Sequence, residues 1–305
     1  MPVPNFFVIG AAKAGTTALY NCLKQHPDIY MSPVKEPLFF AFEGEPPIYP
    51  GPAGTYFHRV AVWRPRDYML LFAGATGQRA IGEASPIYLR SPLAARRIRQ
   101  NLPHSRLVAI LRHPAERAYS HYTYLVQHHV EPARTFSEAL AREALRMQEG
   151  WFPGFFYQAS GYYHAQLSAY GELFPREQIK VYLYEDWRET PQAMLRDLFR
   201  FLEVDTDFVP TIRQSNVTRL PSSQRLHRLA VAPDRIERRL APILPARARR
   251  AIVSAVRRFD DRCNLAPPPP LDPEIRARLT AEYREDILKL QDLIGRDLSH
   301  WVRTD

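Results

Sequence analysis

The stretch Gly10-Ala-Ala-Lys13-Ala-Gly15-Thr16-Thr17 follows the apolar run Phe6–Ile9. Small residues between a strand and a helix let backbone N–H groups point at an anion, and the helix N-terminus behind them adds favourable partial charge. Gly10 and Gly15 keep the spacing of the nucleoside-triphosphatase loop G-x-x-x-x-G-K-[ST], but the lysine position holds Thr16 and the cation stands at Lys13. In that loop the lysine bridges terminal phosphates and the following hydroxyl holds magnesium. Moving the lysine predicts an anion of different geometry and no metal, and argues against hydrolysis of ATP or GTP. A tight glycine turn with an exposed lysine is the plainer alternative, so a second site has to decide.

That second site is offered by Leu107–Tyr122, LVAILRHPAERAYSHY. It reads as a buried strand ending in Arg112, then a helix opened by Pro114 that carries Ser120. Ligands of open α/β sheets bind outside the carboxyl ends of the strands, and a planar guanidinium there suits a phosphate.

The elements that must place these groups are short apolar runs alternating with helical patterns. Strands are expected at Phe6–Ala11, Ile29–Met31, Ala80–Gly82, Leu107–Leu111 and Lys180–Tyr184, and helices at Thr16–Gln25, Pro92–Asn101, Pro114–His129 and His164–Leu173. Alternation of this kind implies an α/β fold, a P-loop-like three-layer arrangement with a central parallel sheet flanked by helices. Glu43–Gly54, rich in Pro and Gly, reads as a surface loop. From about Ser222 the texture becomes basic and helical (RIERRL, then ARARRAIVSAVRRF), followed by the turn APPPPLDP and a long helix from Pro273 to about Gly295. The arginine-rich segments read first as solvated helix faces. The chain is expected to form one domain over 1–305, with an α/β nucleotide-binding core at 5–221 and a mostly helical extension at 222–305 packed on it.

The 305 residues carry 41 Lys+Arg against 32 Asp+Glu, a formal charge of +9 that favours an anionic partner without choosing one. Cys22 and Cys263 stand far apart and outside any metal-ligand spacing, which fits a reducing compartment rather than a disulfide framework. No basic segment precedes a long apolar run at the N-terminus, and no window reaches about 18 uninterrupted apolar residues. A cytoplasmic protein without a membrane span is expected; the oligomeric state is left open.

Taken together, Lys13-Ala-Gly-Thr-Thr17 and the Arg112/Ser120 pair resemble the sulfotransferases that use 3′-phosphoadenosine 5′-phosphosulfate, most closely the bacterial members and the branch containing heparan sulfate sulfotransferases. The resemblance extends to KEPLFF (Lys35–Phe40), GEASPIYL (Gly82–Leu89), SGYYHAQLSAYGELFP (Ser160–Pro175) and NVTRLP (Asn216–Pro221), and covers most of 5–225. It implies that Lys13, Ala14, Gly15, Thr16, Thr17 and Ala18 hold the 5′-phosphosulfate, that Arg112 and Ser120 read the 3′-phosphate, and that Arg219 contacts the nucleotide from a closing loop. It also implies that Lys13 is catalytic and that Glu36 is the general base, taking the proton of a hydroxyl or amine acceptor. The implied partners are this donor and a carbohydrate or small-molecule acceptor, with no nucleic acid and no metal. Glu83 and Ser85 are polar candidates near the acceptor, and Trp63, Trp151, Phe155 and Phe156 are candidate aromatic contacts to it. Leu38 and Ala84 depart from the pattern, since relatives often carry a polar residue and a lysine there, which points away from a heparan-like acceptor. Two other readings stay open: a P-loop nucleotide kinase or triphosphatase, and a non-enzymatic basic protein that binds polyanions.

Overall fold

The computed structural model describes residues 2–44, 46–212, 219–221, 244–259 and 265–303. Five parallel strands, β1 (Phe6–Gly10), β2 (Ile29–Met31), β3 (Ala80–Ala84), β4 (Arg106–Leu111) and β5 (Ile179–Leu183), pair in the order β2-β3-β1-β4-β5. Every residue of β1 and all but the first of β4 are buried. This is why those strands read as unbroken apolar runs: a parallel sheet covered on both faces has no polar side to alternate with.

The helices among the described residues are α1 (Thr16–Leu23), α2 (Phe39–Phe42), α3 (Tyr56–Val60), α4 (Pro65–Leu70), α5 (Pro92–Asn101), α6 (Pro114–Gln127), α7 (Phe136–Ala141), α8 (Glu143–Gln148), α9 (Tyr163–Gly171), α10 (Tyr184–Glu189), α11 (Pro191–Leu202), α12 (Ala246–Phe259) and α13 (Pro273–Ile294). Proline at the first helical position starts several of them, where its missing N–H is no loss. Ser91 caps α5 by accepting from Ala94 N at 3.2 Å, and Asp272 caps α13 by accepting from Glu274 N at 2.8 Å and Ile275 N at 3.2 Å. α13 ends at Gly295, which takes the left-handed conformation (φ 65°) that closes a helix.

The expected strands and helices form with boundaries moved by a residue or two. α6 stops at Gln127 because His129 turns left-handed (φ 56°). α11 had not been anticipated, although Met194, Leu195, Leu198, Phe199 and Leu202 trace one buried stripe along it. α13 packs against α6 and α9. Tyr283 reaches Gln158 O at 2.9 Å, and the Trp301 carbonyl meets His113 Nε2 at 2.9 Å just past the end of β4. RIERRL lies outside the described residues; in α12, Arg247 and Arg250 are exposed.

The strand order fixes where a ligand can sit. The chain leaves β1 toward β2 on one side and leaves β4 toward β5 on the other, so a crevice opens between the carboxyl ends of β1 and β4. Lys13 follows the first of those ends and Arg112 the second.

Candidate active site

Gly10 must be glycine for a local reason: a Cβ there would lie 2.6 Å from Leu89 Cβ. Beyond it Ala11 N donates to Ile110 O at 2.7 Å, tying the loop to β4, and Ala14 N donates to Ala11 O at 3.2 Å. Lys13 (φ 69°) and Gly15 (φ 95°) both take left-handed backbone, which turns the chain sharply into α1. Gly15 offers no side-chain cap and the first turn of α1 holds no acidic residue. The leading N–H groups at Thr16, Thr17 and Ala18 therefore have neither helical nor side-chain partners among the described residues, the arrangement that receives an oxyanion. Thr16 and Ala18 are buried and Thr17 is half-buried.

Two cations converge on this loop. The Arg112 guanidinium lies 3.5 Å from Lys13 O, 5.0 Å from the Tyr184 ring centroid and 3.5 Å from Glu116 Oε2, while Tyr163 OH donates to Arg112 O at 2.9 Å. The Lys13 ammonium lies 4.1 Å from the centroid of the Tyr124 ring. Burial, and then repulsion by Arg112, pull the Lys13 pKa down to about 8, against a smaller opposing pull from Glu36. An anion joining a buried lysine whose pKa is lowered by burial and a neighbouring arginine favours its charged form and raises that pKa again. Ser120 lies half-buried on α6, with no hydrogen bond to its hydroxyl among the described residues. Arg219 is exposed, its backbone N–H 3.4 Å from Gln127 Oε1. No described contact joins its side chain to the loop, and Asn216–Thr218 lie outside the described residues.

Glu36 sits on the loop after β2. Its N–H donates to Ala84 O at 3.0 Å, its φ is 62°, and its half-exposed carboxylate pairs with Lys35. Leu38, two residues on, is also left-handed (φ 64°). Such backbone is costly for side chains with a Cβ and persists only when neighbours hold it. A buried network holds it here. Glu83 accepts from Ser85 Oγ at 2.6 Å, Tyr88 OH at 2.8 Å and Tyr68 OH at 3.0 Å; Ser85 Oγ in turn accepts from Leu38 N at 3.3 Å and Tyr88 OH from Phe40 N at 3.2 Å. Burial pushes the Glu83 pKa up to about 7 despite those three donors. Glu83 and Ser85 are wholly buried and stay out of the cavity described next, so they support the Glu36 loop rather than face an acceptor.

A cavity of about 700 Å³ opens beside the phosphate-loop residues Ala11 and Ala12, with Glu36 and Leu38 on one wall and Tyr124 on another. Phe155 lines it, whereas Trp63, Trp151 and Phe156 do not. Lys13, Thr16, Arg112 and Ser120 lie outside its lining, so the two cations and the cavity occupy neighbouring compartments that meet near Glu36 and Tyr124. Sequence reasoning passed over Arg117 and His121, although Arg117, His121, Tyr124 and Leu125 form one helical stripe of α6 facing the cavity, continued by His128 just past the helix end.

Residues 3–226 match the family model for the sulfotransferase domain. Among solved structures, a sulfotransferase from Alicyclobacillus acidocaldarius superposes with a TM-score of 0.78 at 34% identity, covering 99% of this chain and 100% of that one. Among curated proteins, the bifunctional heparan sulfate N-deacetylase/N-sulfotransferase 1 of Caenorhabditis briggsae is 27% identical over 219 residues, 66% of this chain and 23% of its own length. The membrane-associated sulfotransferase kil1 of Dictyostelium discoideum is 32% identical over 125 residues, 41% of this chain and 24% of its own. The chain thus spans about a quarter of the length of these curated relatives. A parallel sheet with an uncapped helix at its switch point, matched over most of its length by the domain model and end to end by a solved relative, places the chain in the sulfotransferase family.

Proposed function

We propose that this protein transfers a sulfuryl group from 3′-phosphoadenosine 5′-phosphosulfate to a hydroxyl or amine of a carbohydrate or small-molecule acceptor. The observation that carries the reading is the convergence of Lys13, the uncapped N-terminus of α1 and Arg112 at the β1/β4 switch point, with Glu36 close enough to act on Lys13. When bound, the donor supplies the sulfuryl group and an adenosine 3′,5′-bisphosphate leaving group. The N–H groups of Gly15 to Ala18 and the hydroxyls of Thr16 and Thr17 hold its 5′-phosphate. Arg112 and Ser120 bind its 3′-phosphate, and Arg219 closes over the nucleotide.

The acceptor heteroatom forms a bond to sulfur as the bridging sulfur–oxygen bond breaks. Glu36 takes the acceptor proton, and Lys13 stabilises the charge that develops on the bridging oxygen. A sulfuryl group carries less charge than a terminal phosphate, so the lysine and helix N-terminus are expected to suffice without an added metal ion. The extension at 222–305 belongs to the same domain as the core in this reading.

Calorimetry with adenosine 3′,5′-bisphosphate against ATP, each with and without magnesium, tests the donor assignment. Tighter, magnesium-independent binding of the bisphosphate is expected, and a preference for magnesium–ATP refutes the assignment. Lys13→Ala and Glu36→Gln should each lower transfer by about a hundredfold. Near-normal turnover in either variant removes that residue from the mechanism.

A further inference from the structure

The cavity is lined mostly by apolar side chains, yet three arginines line it as well: Arg59, which is exposed, and Arg90 and Arg117, which are not. Arg117 is 1% exposed; its Nη2 donates to Tyr157 O, and its Nε has no partner among the described residues. Arg90 donates through Nη1 to Pro153 O and to Ser160 Oγ at 2.7 Å. An arginine fork carries five N–H donors, so most of each fork is unspent, and neither arginine forms an ion pair with a carboxylate among the described residues. The carboxylate whose charge both feel, Glu143, already accepts the N–H groups of Gln158 at 2.8 Å and Ala159 at 2.7 Å.

His121 lines the cavity within electrostatic reach of Arg90, Arg117 and Lys13, and its buried Nδ1 has no hydrogen-bond partner among the described residues. Burial, then the charges of Arg117, Lys13 and Arg90, hold this imidazole well below its usual range, so it is neutral and adds no counter-charge. The nearby Arg146 is satisfied differently, by the buried carboxylate of Glu131 at 2.6 Å and 3.1 Å. Two guanidinium groups gathered in an apolar cavity with no direct ion pair among the described residues are costly, and an oxyanion delivered into the cavity offsets that cost.

We infer that the cavity binds a small acceptor with an apolar body and its own oxyanion, held by Arg117 and Arg90 with His121 beside them, while its hydroxyl or amine faces Glu36. The inference rests on the sulfuryl-transfer reading for the identity of the occupant as an acceptor. The cavity volume of about 700 Å³ is that of a small-molecule site rather than a polymer groove. Leu38, Leu125 and Phe155 supply apolar walls suited to an aryl or alkyl body.

The test is calorimetry on the full chain saturated with adenosine 3′,5′-bisphosphate, comparing para-hydroxyphenylacetate with para-hydroxyphenylacetamide. A charged hydrogen-bonded contact makes the acid bind about tenfold to a hundredfold more tightly than the amide. Parallel titrations with para-hydroxybenzylphosphonate and para-hydroxybenzenesulfonate identify the preferred oxyanion. Arg90→Gln, and Arg117→Gln where Arg117→Met does not fold, should collapse the acid-to-amide ratio toward unity. Equal binding of acid and amide, binding of neither, or an unchanged ratio in both variants overturns the inference. Failure of the bisphosphate itself to bind strikes the donor assignment instead, and the acid-to-amide comparison, repeated without it, still reads the cavity.

Discussion

Glu83 gives the sharpest test of how the structure holds the Glu36 loop. Its folded pKa of about 7 stands above the ordinary value of 4.5, with burial as the main cause. Below the lower value both folded and unfolded chains carry the proton, and above the upper value both have lost it. Between them the folded chain binds more protons than the unfolded one, so stability falls as pH rises from about 4.5 to about 7. At 1.36 kcal/mol per pKa unit the whole fall is about 3 kcal/mol. Glu83→Gln keeps the shape but cannot ionise, so this contribution should vanish. Urea denaturation of both proteins across the range, plotted as their difference in unfolding free energy, should shift by about 3 kcal/mol in favour of the glutamine variant toward high pH. A difference that is flat with pH refutes the reasoning, because it means that Glu83 is already ionised in the acid range.

Lys13 makes a second titration visible. With a pKa near 8 in the free protein, it should take up about half a proton at pH 8 on binding adenosine 3′,5′-bisphosphate, measured by calorimetry in buffers of different ionisation heat. Lys13→Ala should abolish that uptake. Gly10→Ala should destabilise by about 1 to 3 kcal/mol through overlap with Leu89 and weaken bisphosphate binding, and Leu89→Gly in the same chain, which removes the clashing Cβ, should restore much of the binding; absence of that rescue disproves the steric cause. Arg146→Met should cost about 3 to 5 kcal/mol in chemical denaturation by stranding the buried Glu131 carboxylate, and a loss below 1 kcal/mol shows that water or another group reaches it.

Much of the core was readable because its physics is local. Phe6–Gly10 and Leu107–Leu111 are buried on both faces, so composition alone marks them, and the proline-opened helices announce their first turns. Lys13 was conspicuous because a single residue stood out of an expected spacing. Glu36 was legible only through resemblance; its own neighbourhood suggested a surface pair with Lys35, which the structure contains as well. The support beneath it could not be read, since Tyr68, Glu83, Ser85 and Tyr88 acquire their relation only when β3 docks beside the helices. Arg117 and His121 were different: they lie four residues apart on a helix already identified, and reading both sides of that helix would have exposed them. The roles of Ser120 and Arg219 remain proposals drawn from sequence pattern.

In the reading proposed above, α6 turns Ser120 to the donor, while Arg117 and His121 line the cavity. Successive residues on a helix differ in direction by about 100°. A single rod is therefore a party wall, with one tenant's fittings interleaved among the other's along the sequence. Substitution at 117, 121, 125 or 128 can redecorate the acceptor room while the donor room keeps its furniture, so a lineage built on this scaffold can change what it sulfates without rebuilding what it sulfates with. Tyr124, bearing the Lys13 ammonium on its ring while lining the cavity, is a brick that faces both rooms, and a position where such drift is least free.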